Sequence, residues 1–312
     1  MAAGADSIPA SGRNPGRRDR GRVGRLDTDG PAPAAEDARR RRRAMWWRAV
    51  RGGATVAGLA YLFAGILGLI PLTFQPGAPP ALDVYHYWAA DLDNLYATAQ
   101  IGSQVEGAYL YSPAFAQAFT PLRLLPLEVV YALWLALCIG LLAWMRVLWF
   151  VALPMVTAEL FFGNVHVLYA AVIVAGFRLP GLWALPWLTK FTPGIGSLWF
   201  AFRGEWRQLA LALGTTAMIG AVSFALAPDL WFDWLDSLAG NVGQPTGMRA
   251  DAIPLWARLV AATVVLAWGA RTDRRWTVPV AVFLSAPALW PGSVAVLAAA
   301  FSPLLGSSQP RR

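Results

Sequence analysis

Long apolar runs separated by clusters of arginine constrain this chain more than any other feature. The runs at 53–74, 127–144 and 209–227 carry almost no charge. Each approaches the roughly 20 residues a helix needs to cross a bilayer. They are too long and alternate too weakly to be barrel strands. Hydrophobic residues make up 57% of the 312, with 16 tryptophans among them, so the fold class predicted is an all-α polytopic membrane protein.

The formal net charge of +8 is unevenly spread. Residues 1–51 hold 13 arginines against 6 acids, and the remaining residues hold 13 basic and 12 acidic groups. The basic character therefore belongs mainly to the N-terminal tail. It ends in Arg39–Arg43, followed by Trp46, Trp47, Arg48 and Arg51, which reads as a positive-inside flank with an aromatic belt. Such a flank can also meet anionic lipid, at about 1 kcal/mol per basic residue near the surface. Nucleic-acid binding is a poor reading, because these residues border a span and form no recognition motif. The single Cys138 lies in an apolar run, which suits a small buried hydrophobe.

Domain organisation follows from these patterns. Residues 1–43 lack apolar periodicity and are expected to be a disordered cytoplasmic tail, residues 44–308 a transmembrane domain, and 309–312 a cytoplasmic C-terminus. The first span, 53–74, is expected to be an uncleaved anchor running outward. An outer loop over about 75–125 follows, then spans at 127–144, 147–162 and 165–177. The segment 180–202 is flanked on both sides by arginine, and Lys190-Phe191-Thr192-Pro193-Gly194 interrupts it. Two half-helices entering and leaving on the same side satisfy both flanks. Spans at 209–227, 253–270, 278–290 and 294–305, with a second outer loop at 228–252, complete the chain. The expectation is about eight spans plus a broken-helix hairpin. The second loop carries Asp229, Asp233, Asp236, Asp251 and Arg249.

The stretch 82–126 interrupts the apolar pattern with four acids (Asp83, Asp91, Asp93, Glu106), five tyrosines and His86, one of two histidines. A polar, aromatic loop between spans is where a membrane enzyme would keep its chemistry. Asp83 precedes an aromatic helical run, so it suits either an N-cap or a desolvated carboxylate acting as general base on a sugar hydroxyl. If the helix continued, Asp91 would lie within about 80° of the same face and could cooperate. Lys190 is the only lysine and sits in an apolar segment. A basic residue there costs about 2.5–3.5 kcal/mol on insertion scales, so it needs a partner. A lipid phosphate fits a compact ammonium, and an intramembrane acid such as Glu159 fits equally. His166 can orient a phosphate, move a proton, or be a structural hydrogen-bonding group. Asn164 suits a helix cap. Arg123 and Arg249 can meet a phosphate or pair with nearby acids. The tyrosines, Tyr85 and Tyr111 among them, suit sugar stacking or interfacial anchoring alike. No metal-ligand spacing and no phosphate-cradling glycine loop is visible, so no cofactor is expected.

One family pattern emerges from Asp83-x-Tyr-x-Tyr-Trp-Ala-Ala, Tyr109-Leu-Tyr-Ser-Pro-Ala-Phe, Pro121-Leu-Arg-Leu-Leu-Pro-Leu and Trp134. Their order, followed by Gly163-Asn164-Val165-His166 and Lys190-Phe-Thr-Pro193, resembles glycosyltransferase family 87. That family includes phosphatidylinositol-mannoside mannosyltransferases. The resemblance implies a C-type glycosyltransferase helical bundle in the cell membrane, a polyprenyl-phosphate sugar as donor and a lipid or glycan acceptor. It also implies a catalytic acid in the first outer loop, which maps onto Asp83. Lys190, His166 and Arg123 are then the candidates for the donor phosphate, and Tyr85, His86, Asp91 and Tyr111 for sugar or acceptor contacts. A lipid or small-molecule transporter, with its site at the broken helix around Lys190, is the rival reading. A membrane scaffold that uses the basic tail as a partner-binding arm is a third.

Overall fold

The computed structural model describes residues 33–71, 79–97, 109–240 and 253–306. Glu106, Arg249, Asp251, residues 1–32 and the C-terminal 307–312 lie outside this set. All regular structure among the described residues is helical.

Residues Met1–Trp47 and Arg48–Arg312 form two units. Helix α1 (Pro33–Ile66) crosses this boundary in sequence and begins at Pro33, inside the 1–43 stretch expected to lack order. The sequence around 34–45 is rich in Ala and Arg, both good helix formers, and Glu36 pairs with Arg40 one turn on at 2.8 Å. The helix propensity of this arginine-rich run outweighs its low hydrophobicity.

The second unit holds the rest. Among the described residues three helices are long and apolar enough to cross a membrane: α1, α4 (Leu127–Trp144) and α9 (Trp206–Leu226). Helices α5 (Pro154–Phe162) and α6 (His166–Ala175) meet at a bend of 104° and together make a fourth at most. The expectation of about eight spans is thus corrected to three, or four with the bent pair. Hydropathy counts apolar residues, whereas a single helix must also run far enough to cross the bilayer. The expected 147–162 span is a 3₁₀ turn, Leu148–Ala152, followed by nine-residue α5 starting at Pro154. Of the last three expected spans, 253–270 becomes the 17-residue α11 (Leu255–Arg271), and 278–290 becomes the eight-residue α12 (Thr277–Leu284). The third, 294–305, is 3₁₀ helix only as far as Phe301, as part of the segment Pro291–Phe301.

The expected break in 180–202 is present. A 3₁₀ turn (Pro180–Trp183) leads into α7 (Ala184–Lys190), and Phe191 then adopts φ 55°, ψ −67°. The 3₁₀ segment Thr192–Ser197 and α8 (Leu198–Phe202) follow. Proline at 193 cannot supply the amide a continuing helix needs. The stretch expected as outer loop is partly helical, with α2 (Leu82–Trp88) and α3 (Pro113–Phe119). In the second expected loop, α10 (Pro228–Gly240) follows α9 directly.

These short helices converge on a buried aromatic cluster. The Tyr87 ring lies 5.0 Å from Tyr111, 5.1 Å from Phe115, 5.3 Å from Phe119 and 5.6 Å from Trp134. Gly163 then turns the chain between α5 and α6. Its φ is +78°, a region L residues rarely enter, and a Cβ there would run into the Val84 side chain of α2. Gly163 thus sets the bend and the seating of α2 together.

Gly163→Ala should therefore cost on the order of 1–3 kcal/mol in backbone strain alone. The expected result is a clear drop in Tm of the detergent-solubilised protein. Gly140→Ala in α4, where a Cβ meets nothing within 4 Å, should leave Tm unchanged or raise it. Equal Tm values for the two variants would contradict this role for Gly163.

Candidate functional site

The polar residues of the sequence meet where α2, α5, α6, α7 and the segment Pro291–Phe301 come together. Asp83 is the second residue of α2, not its cap; Ala81 takes the N-cap position, with φ 63°. That frees the Asp83 carboxylate, and its Oδ2 accepts a hydrogen bond from Asn164 Nδ2 at 2.9 Å. Asn164 Oδ1 accepts from the Val165 amide at 2.8 Å and from Lys190 Nζ at 3.1 Å. One amide side chain therefore holds a carboxylate with one end and an ammonium with the other. Asp83 and Lys190 are half-buried, whereas Asn164 is buried.

Behind Lys190 lies a second pair. Lys190 Nζ is 3.5 Å from His166 Nε2, and His166 Nδ1 is 2.9 Å from Glu159 Oε2. Ser293 Oγ is 3.2 Å from the same Nε2. His166 is 1% exposed and Glu159 3%. Among the described residues no carboxylate lies within ion-pair distance of Lys190; Glu159 pairs with His166 instead. Lys190 also stands over the Tyr111 ring, 5.4 Å from its centroid, a favourable placement for a cation. The Tyr111 hydroxyl shares a 2.9 Å hydrogen bond with Tyr87. The Ser112 hydroxyl donates to the Leu188 carbonyl near the end of α7, tying α3 to the helix that carries Lys190.

Of the residues expected from sequence, the structure thus gathers Asp83, His166, Lys190 and Tyr111. Tyr85 and His86 stand half-buried on α2, ring to ring at 5.8 Å. Asp91 and Arg123 are exposed. Helix α2 ends at Trp88, so Asp91 shares no helix face with Asp83; its Oδ1 instead accepts the Asp93 amide at 3.3 Å. Arg123 donates to the Ala90 carbonyl at 3.0 Å, and among the described residues no contact joins it to the cluster. Sequence reasoning did not foresee Asn164 as the bridge, Ser293, or Glu159 as the partner of His166. A glutamate inside an apolar run was the available signal for the last.

Burial dominates the electrostatics of Asp83 and pushes its carboxyl up to about 6; Glu159 adds to the rise, while Lys190 and the Asn164 hydrogen bond oppose it. The carboxyl should therefore protonate near pH 6. Asn164→Ala, which removes a hydrogen bond to the charged form, should move this protonation to higher pH. Infrared difference spectra between parent and Asp83→Asn, recorded across pH, isolate this one carboxyl. Protonation near pH 4, or no shift in Asn164→Ala, would contradict the description.

The site offers a half-buried carboxylate and a half-buried ammonium joined by one amide, so it can take a proton and hold an anion in one place. Glycosyltransferase family 87 matches residues 109–307, a stretch that includes Tyr111, Glu159, Asn164, His166 and Lys190 and leaves Asp83 upstream. No curated protein and no solved structure matches the chain. The family match covers more than half of the 312 residues, and the chain accordingly belongs to glycosyltransferase family 87, a family of membrane glycosyltransferases.

Proposed function

We propose that this protein transfers a sugar, mannose in our reading, from a polyprenyl phosphate donor to a lipid or glycan acceptor at the outer face of the membrane. The observation that carries the reading is the Asn164 bridge, with Asp83 at 2.9 Å on one side and Lys190 at 3.1 Å on the other. A sugar phosphate needs both groups close together, one for each end of the bond being exchanged.

In this reading the donor phosphate meets Lys190 and the sugar projects toward Asp83. The Asp83 carboxylate takes the proton of the acceptor hydroxyl. The acceptor oxygen forms a bond to the anomeric carbon as the bond to the phosphate oxygen breaks. The electron pair leaves on that oxygen, and the Lys190 ammonium stabilises the added negative charge. A single displacement inverts the anomeric configuration. Tyr85 and His86, beside Asp83 on α2, and Tyr111 beneath Lys190 are the sugar and acceptor contacts. Arg123 is left out of the phosphate site, since it is engaged with the Ala90 carbonyl. Placement of Asp83 on the outer face rests on the arginines in the N-terminal part of α1, Arg39–Arg43, Arg48 and Arg51.

Right-side-out membrane vesicles given radiolabelled polyprenyl phosphate mannose and an external acceptor test the reading. The parent protein should transfer label, with a rate that falls as pH drops through about 6, because the base must be ionised. Asp83→Asn should lower kcat by about 10²–10⁴-fold with little change in donor KM. Lys190→Met should chiefly raise donor KM. Full activity in Asp83→Asn, or label transferred only when the acceptor is inside, would overturn the corresponding part.

A further inference from the structure

Glu159 gives both of its carboxylate oxygens to one residue. Oε1 accepts the His166 backbone N–H at 2.6 Å, and Oε2 lies 2.9 Å from the His166 ring nitrogen Nδ1. The backbone makes room for this clamp. A Cβ at residue 292 would collide with the Glu159 carboxylate, and Gly292 is the residue there. The other ring nitrogen, Nε2, faces Lys190 Nζ at 3.5 Å and Ser293 Oγ at 3.2 Å.

The identity of these neighbours fixes the proton on the ring. An ammonium is a donor only, so the nitrogen that faces it must be an acceptor. An imidazolium, or a neutral ring protonated at Nε2, would set an N–H against the ammonium. An ionised carboxylate is an acceptor only, so the nitrogen that faces Glu159 must carry the hydrogen. Both conditions are met by one form, the neutral ring with its proton on Nδ1.

We propose that Glu159 is a positioning residue: by holding His166 protonated at Nδ1, it turns the bare Nε2 toward Lys190 and holds the ammonium beside Asn164. The ammonium is then aimed by two acceptors, His166 Nε2 and Asn164 Oδ1. The kinetic consequence rests on the transferase reading above, whereas the ring tautomer and its coupling to Lys190 do not.

The sequence makes the test direct. Lys190 is the only lysine, and His86 and His166 are the only histidines. Protein labelled with ¹⁵N in histidine and lysine gives one side-chain amine signal and two imidazoles, of which His86→Gln identifies that of His166. The parent should show a protonated Nδ1 and a bare Nε2. In Glu159→Gln the carboxamide oxygen can keep the backbone N–H, which leaves its NH₂ against Nδ1. The proton should then move to Nε2, the lysine signal should shift, and donor KM should rise by about tenfold, the effect of one lost hydrogen bond, with a smaller change in kcat. Glu159→Asp, which keeps the carboxylate, should restore part of the parent behaviour. Lys190→Met leaves Glu159 in place and should move the Nε2 signal without moving the proton from Nδ1. A parent ring protonated at Nε2, an Nε2 signal indifferent to Lys190→Met, or a Gln variant with the tautomer reversed and donor KM unchanged would each overturn the proposal. Absence of any transfer by the parent would sink the transferase reading instead, and the two NMR signals would still decide the tautomer and its coupling to Lys190.

Discussion

The side-chain amide of Asn164 is the interaction on which the rest of the site depends. Its nitrogen donates to Asp83 and its oxygen accepts from Lys190, so it joins α2 to α7 through the bend between α5 and α6. Replacing that amide by an apolar group would leave a carboxylate and an ammonium with one partner fewer each, in surroundings where unpaired charge is expensive. Because an amide has distinct donor and acceptor ends, it keeps the two charges adjacent without letting them neutralise one another directly. Both then stay available to a ligand.

The broken helices follow from the same need. An unbroken helix uses its backbone groups internally and sends side chains outward around its circumference. A cleft with several polar groups pointing inward requires helix ends and turns, and these are tolerated at membrane depth where they line a polar cavity. The chain supplies helix ends and turns at the bend at Gly163, the break at Phe191 and the start of the 3₁₀ segment at Pro291. They bring Asn164, Lys190 and Ser293 together from three separate elements. The aromatic cluster around Tyr87 fills the space behind, and α4 contributes Trp134 to it.

Much of this was legible in the sequence where a single residue type forces the outcome. Lys190 beside Phe191-Thr192-Pro193-Gly194 announced both a break and a charge in need of a partner, and the helix ends there. The span count was not legible, since hydropathy does not register 3₁₀ turns or a 104° bend within an apolar stretch. The link between Asp83 and Asp91 failed for a local reason: Asp91 bonds the Asp93 amide and closes a turn, a side-chain alternative that competes with helix. The start of α1 at Pro33 was hidden because low hydrophobicity suggests disorder even where Ala and Arg favour helix. Partner choice was the least legible of all. Glu159 could be matched to Lys190 by charge alone, and only the fold around Gly163 and Gly292 shows that its two oxygens go to His166.

The central claim is that Asp83 and Lys190 face opposite ends of one donor, its sugar and its phosphate. A structure of the protein in a lipid nanodisc with a non-hydrolysable polyprenyl phosphonate sugar tests it most directly. The account predicts a phosphonate oxygen about 2.7–2.9 Å from Lys190 Nζ and the anomeric carbon on the Asp83 side of Asn164. A donor bound with its phosphonate away from Lys190, or with its sugar turned from Asp83, would contradict it.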